Sequence, residues 1–165
     1  MILPQVWHFS FHVRDIERSV AFYHGLLGMQ LIHMQEQQNA YTSALVGYPD
    51  AHLKVAQLAV SGRPAGLVST HDLELVEYVN PRCEPAPMER CRPGMGHMAF
   101  VVRDIHQMHQ ALSDNGVDFV SPPMAITAGI NEGGFCCYFH DPDRITLEFV
   151  QPAPRVLDQS SSQPD

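Results

Sequence analysis

The chain says the same thing twice. Residues 8–16, HFSFHVRDI, return as residues 97–105, HMAFVVRDI. At a constant offset of 89, His8, Phe11, Val13, Arg14, Asp15 and Ile16 recur as His97, Phe100, Val102, Arg103, Asp104 and Ile105. A second echo closes each half, DLELV at 72–76 against TLEFV at 146–150, with Glu74 matching Glu148. Internal similarity of this kind marks one supersecondary unit used twice. The expected organisation is a single domain over 1–152, with module one at 5–80, a linker at 81–95 and module two at 96–152. The linker contains PRCEPAPMERCRPG, whose prolines and charges break regular structure. The stretch 153–165 is rich in Pro, Ser and Gln and reads as a flexible tail.

Each module opens on an apolar run suited to a buried strand, Val6–Val13 and His97–Val102. An aspartate follows where a helix N-cap belongs, Asp15 and Asp104. Ile16, Val20, Tyr23 and Leu27 then recur on one helical face, as do Ile105, Met108 and Leu112. Gly25 and Gly28 read as the end of the first helix, and Asn115-Gly116 as the stop of the second. Later strands are expected at Met29–Gln35, Tyr41–Val46, Ala51–Ala59 and Asp72–Val79, then at Asp118–Val120, Gly134–Phe139 and Ile145–Val150. Turn residues separate them at Tyr48-Pro49-Asp50, Ser61-Gly62 and Asp141-Pro142-Asp143. A small sheet with one helix leaves a face uncovered, so the two halves should pack together.

Composition narrows the function classes. At 165 residues and 45% hydrophobic, folding buries roughly 70% of the unfolded surface without staples. The four cysteines, Cys83, Cys91, Cys136 and Cys137, form no CxxC pair and read as thiols in a reducing compartment. A net charge of −8 opposes phosphate backbones and anionic lipid, which argues against nucleic-acid and membrane partners. No apolar stretch reaches the length of a membrane span, and no basic segment precedes an apolar run at the start. A cytoplasmic protein acting on a small molecule is the expectation.

Strand parity gives the repeat chemical content. His8, Ser10 and His12 share one face, and Asp72, Glu74 and Val76 share another, with His71 and Glu77 pointing the opposite way. His97 and Glu148 hold the corresponding places in module two. If the modules pair with approximate symmetry, two imidazoles and two carboxylates converge from four strands. Such a set suits one divalent transition ion per site, Ni, Co, Zn, Mn or Fe. A single strand histidine is more often a hydrogen-bonded core residue. A carboxylate amid Leu, Val and Phe, however, is expensive without a partner, and here both carboxylates share a repeat with a histidine.

These residues resemble a family. H-x-x-x-x-V-x-D from His8, FYHGLLG at 22–28, LEL at 73–75, GHMAFVVRD at 96–104 and HDPDRITLEF at 140–149 are similar to the vicinal oxygen chelate superfamily. That superfamily includes glyoxalase I, methylmalonyl-CoA epimerase, extradiol dioxygenases, fosfomycin-resistance enzymes and bleomycin-binding proteins. The resemblance implies an α+β fold of two βαβββ modules forming a cupped eight-stranded sheet around a metal. It places His8, Glu74, His97 and Glu148 on the four ligand positions. Both carboxylate positions hold Glu, as in glyoxalase I and close to the epimerases. The implied activity is a divalent-metal-dependent lyase or isomerase that moves a proton next to a carbonyl through an enediolate. Glu148 is then the favoured base and Glu74 the partner carboxylate, with purely structural ligation as the alternative for each.

Two other functions remain open. An extradiol dioxygenase would use iron(II) in a site of two histidines and one carboxylate, which is the oxygen-activating facial triad. Glu74 stands where that triad has histidine, and His71 has the wrong parity to replace it. A bleomycin-type binding protein does not require four ligand positions. Glutathione handling is open as well, because Tyr78 and His12 occupy positions where bacterial glyoxalase I has an asparagine and an arginine that contact the tripeptide. His12, on the face of His8, is a substrate-pocket candidate, although a core histidine is about as common. Where many relatives have Gly after Asp-Pro-Asp, Arg144 stands here, which points to a different turn. Module one is 15 positions longer between its histidine and glutamate (66 against 51), and the surplus falls at Asn39–Asp50 or Ser61–Ser69. Insertions of that kind often roof a pocket. The loop Met124–Gly133 could close over the mouth opposite. A homodimer is expected, since sheet edges need covering.

Overall fold

The computed structural model describes residues 7–60 and 73–154, and the chain divides into two compact units, Met1–Ala86 and Pro87–Asp165. Their boundary lies inside the expected linker. Val6, His71, Asp72, the Ser61–Ser69 stretch with its Ser61-Gly62 turn, and the tail beyond residue 154 lie outside the described residues.

In the first unit β1 is Phe9–His12, α1 is Ile16–Val20 and continues as a π-helical turn over Ala21–Leu26, and β2 is Gln30–Gln38. Then come α2 at Ala40–Val46, β3 at His52–Ala59 and β4 at Leu73–Asn80. The sheet order is β1-β4-β3-β2, with β1 parallel to β4 and the other pairs antiparallel. Asp15 caps α1 as expected, its Oδ1 accepting from Arg18 N at 2.9 Å. Gly28 takes the left-handed conformation that stops the helix (φ 77), whereas Gly25 lies within the π turn instead of ending it.

Sheet parity divides the core. Leu73 and Leu75 of β4 and Ala56 and Leu58 of β3 are fully buried on one face, where Ile16 and Tyr23 of the helix are buried too. Each buried Leu or Ile among them contributes about 1.5–3 kcal/mol. Glu74, Val76 and Tyr78 stand on the other face.

One expected strand is a helix. Tyr41–Val46 has the aromatic and β-branched residues of a strand, yet it forms α2 because both ends are capped. Asn39 Oδ1 accepts from Thr42 N at 2.9 Å, and Gly47 closes the end in the left-handed region (φ 76). Thr42 and Val46, one turn apart, face inward: Thr42 Oγ1 donates to Gln37 Oε1, and Val46 packs against Leu53, Val55 and Val76. Part of the surplus length of module one is therefore this helix.

The second unit has β5 at His97–Val101, α3 at Ile105–Asp114, β6 at Met124–Ala125, β7 at Phe135–His140 and β8 at Thr146–Gln151. Its sheet order, β5-β8-β7-β6 with β5 parallel to β8, repeats that of the first unit. The two βαβββ modules are thus the same fold, with α2 added to one. Asp104 caps α3 through Gln107 N at 2.9 Å, and Gly116 follows it in the left-handed region. Ile105, Leu112, Phe139, Leu147 and Phe149 are buried, with the Phe139 and Phe149 rings 4.4 Å apart.

Two smaller expectations change. Asp118–Val120 is not a strand but a single bridge, Phe119 to Phe139, before β6 takes up the same edge of β7. Pro122 and Pro123 separate the two contacts, and neither has an N–H to continue a ladder. Arg144 does not alter the turn type that Gly would permit, because it adopts the left-handed conformation itself (φ 69). Its guanidinium bonds to Asp118, and Asp141 Oδ1 accepts from Asp143 N and Ile145 N, which over-determines the turn.

A pin recurs in both modules. Ile16 N, the first amide of α1, donates to Glu77 Oε2 at 2.9 Å, and Ile105 N, the first of α3, donates to Gln151 Oε1 at 2.8 Å. Each acceptor stands three residues beyond the glutamate of its last strand. Buried Glu77 also lies 3.8 Å from Arg82, whose other nitrogen donates to Arg14 O. Since Gln151 does this with an uncharged amide, Glu77→Gln should unfold within about 1 kcal/mol of the parent. Glu77→Leu, which leaves the amide without its acceptor, should lose about 1–3 kcal/mol. Urea midpoints of the three proteins make the comparison.

Candidate functional site

Register places the four candidate ligands two by two. In module one Ser10 is the parallel partner of Glu74, and in module two Ala99 is the partner of Glu148. His8 and His97 each stand two residues before that partner, so each histidine is the diagonal same-face neighbour of its glutamate. His97 Nε2 lies 3.0 Å from Glu148 Oε2, and His8 Nε2 lies 3.5 Å from Glu74 Oε1. The carboxylates are mostly but not wholly sheltered, with side chains 20% exposed at Glu74 and 14% at Glu148. Each module thus brings together one imidazole and one carboxylate. Among the described residues no group of three or more His, Cys, Asp or Glu capable of holding an ion gathers within one module.

The surroundings of the two pairs differ. Across the antiparallel neighbour, Glu74 faces Gln57 and Glu148 faces Tyr138. The Tyr138 ring meets His97 edge-on at 5.2 Å, so His97 is buttressed by the residue beside its partner. Burial, and then the Glu148 charge, push the Tyr138 hydroxyl above its ordinary pKa. Burial and then Glu148 likewise push the Cys136 thiol up. Cys137, buried on the opposite face, is pushed up to about 11, mainly by burial. Both effects favour the protonated form of the thiol beside Glu148.

His12 does fall on the face of Glu74 and is exposed, and its ring meets Tyr78 edge-on at 5.2 Å. Tyr78 was singled out only as a departure from a glutathione contact; here it is the aromatic neighbour of the pocket candidate. Tyr138 could have been found from the sequence, since a hairpin centred on Asp143 sets residue 138 opposite 148. Asp141 does serve the turn, as its type and place suggest. His140 does more. It ends β7, buried, with Nδ1 3.1 Å from Asp118 Oδ2 and Nε2 3.4 Å from Arg90 Nη1. Arg90 has only protons to offer, so this geometry assigns the acceptor lone pair to Nε2 and the proton to Nδ1. The Arg144 bond, then that of His140, hold the Asp118 carboxyl below the usual range.

The model of the Glyoxalase/Bleomycin resistance protein/Dioxygenase superfamily matches residues 5–149. The chain belongs to this superfamily. Among curated members, it is 26% identical over 150 residues to a lactoylglutathione lyase of Haemophilus influenzae, covering 89% of this chain and 92% of that protein. It is 24% identical over 156 residues to a putative lactoylglutathione lyase of Brassica oleracea, covering 92% of this chain but only 46% of that protein. The chain therefore spans about half of that plant relative and nearly all of the bacterial one. Among solved superfamily structures, a glyoxalase family protein of Bacillus cereus aligns with a TM-score of 0.76 at 15% identity, over 93% of this chain and 97% of that one. The trypanothione-dependent glyoxalase I of Leishmania major aligns at 0.61 and 18% identity, over 97% and 94%. At these identities the structural likeness is one of fold. No helix among the described residues is long and apolar enough to cross a membrane.

The thiol environments are separately testable. A maleimide at neutral pH should label exposed Cys83 and Cys91 first and Cys136 slowly, and should spare Cys137 in the native state. Peptide mass mapping against time reads the order, and early labelling of Cys137 would contradict its burial.

Proposed function

We propose that the protein is a divalent-metal-dependent lyase or isomerase that transfers a proton next to a carbonyl, of the glyoxalase I or epimerase type. The observation that carries this reading is the His–Glu diagonal, set at the same register in both modules. His8, Glu74, His97 and Glu148 would hold the ion, the two pairs coming from one chain or from two copies in a homodimer. Their donor chemistry fits: two imidazole nitrogens and two carboxylates suit a first-row divalent ion and leave the site formally neutral. Bound there, the ion supplies Lewis-acid stabilisation to the substrate's oxygens.

The chain's own residues move the proton. Glu148 takes it from the carbon beside the carbonyl and returns it to the neighbouring carbon. Glu74 serves the opposite face, which an epimerisation requires. Sheltering Glu148 between His97 and Tyr138 limits the water that can compete for that proton. Two carboxylates in place of the single one of the oxygen-activating triad favour proton transfer over ring cleavage. The relatives named lactoylglutathione lyase support the same class.

Glu148→Gln tests the base. The variant should keep its metal by elemental analysis yet lose at least about 10²-fold in exchange of the substrate proton with deuterated water, followed by NMR on 2-oxoaldehyde hemithioacetals and 2-hydroxycarbonyl compounds. Full exchange in Glu148→Gln would remove Glu148 from the role. His8→Ala and His97→Ala should each lower bound metal, and undiminished metal in both would end the ligand assignment.

A further inference from the structure

The face that carries His8 and Glu74 continues along β4 into an aromatic wall. Val76 lies about 7 Å and Tyr78 about 13 Å beyond Glu74, all on the same side of the strand. Tyr78 packs against the buried cluster of Leu53, Val55 and Val76, which Val46 of α2 covers from above. Two further rings close on Tyr78: His12 edge-on at 5.2 Å, and Tyr48, just beyond α2, edge-on at 6.1 Å. Tyr48 remains half-exposed, so the wall has an open side.

Module two has no such wall. Val101 stands where module one has His12, Pro152 where it has Tyr78, and no helix stands between β6 and β7. The asymmetry traces to α2 and the residues that follow it, which the shorter module lacks. Two nearby cations among the described residues are engaged elsewhere. The single lysine, Lys54, has the opposite parity and pairs with Glu17 at 3.1 Å, and Arg82 is bound to Glu77 and the Arg14 carbonyl. Neither Lys54 nor Arg82 is thereby left to meet the carboxylates of a peptide thiol. What the wall offers is ring faces and edges, which bind flat apolar groups.

We infer that Tyr78, Tyr48 and His12 form a specificity subsite for an uncharged aromatic group on the substrate, at the end remote from the reacting carbonyl. This rests on the metal and proton-transfer reading above and names its substrate class: small aryl-bearing 2-oxoaldehydes or 2-hydroxycarbonyl compounds rather than conjugates of an anionic peptide.

Two metal-chelating probes that differ only in the remote group test it. Benzohydroxamate and acetohydroxamate are titrated calorimetrically into the nickel-loaded full chain, its Tyr78→Ala variant and its Tyr48→Ala variant. The parent should prefer benzohydroxamate at least 10-fold. Tyr78→Ala should bring that ratio close to one without changing the acetohydroxamate affinity, and Tyr48→Ala, at a half-exposed position where folding is not at stake, should reduce it several-fold. Equal binding of the two probes by the parent, or a ratio unmoved by both substitutions, overturns the subsite while leaving the metal assignment intact. If neither probe binds, the metal assignment falls and the subsite with it.

Discussion

The parallel pairing of first and last strand in each module is the constraint on which the candidate site depends. Parallel neighbours cannot be joined by a tight turn, so β1 and β4 meet only after the helix and two further strands have been laid down. β5 and β8 do the same. Once the pair forms, its register sets Ser10 against Glu74 and Ala99 against Glu148, and the histidine two residues upstream comes within reach of the carboxylate. A slip of one residue would turn each glutamate into the helix-bearing core.

That register is held from the other side of the sheet. Leu73 and Leu75, or Leu147 and Phe149, are buried against the helix and define which face the glutamate between them must take. Glu77 and Gln151 then tie the first amide of each helix to the same strand, three residues beyond the glutamate. An acid in one module and an amide in the other perform one task, because what the helix amide needs is an oxygen, not a charge. Helix, strand and candidate ligand are thereby linked in a few bonds.

Much of this was legible. The offset of 89 between HFSFHVRDI and HMAFVVRDI announced two modules, the Asp-Ile steps marked both N-caps, and strand parity separated Glu74 from Glu77. The superfamily was readable from the same motifs. Tyr41–Val46 misled because residue preference in six positions cannot outweigh caps on both sides, and the signal lay in Asn39 and Gly47 outside the segment. Arg144 misled because a turn can hold an arginine in glycine's conformation when Asp118 and Asp141 fasten it. The role of His140 was not legible because its partners, Asp118 and Arg90, are distant in sequence.

The amino-acid order alone determined the duplication, the alternation of faces and the chemical types on them, since these follow from periodicity and from the cost of burying unpartnered acids. Tertiary structure decided what those residues meet. Tyr138 stands against His97, Tyr78 between His12 and Tyr48, and α2 over the cluster of Leu53, Val55 and Val76. Such neighbours are set by strand register and helix packing between segments far apart in the chain, and local preferences carry no information about contacts of that range.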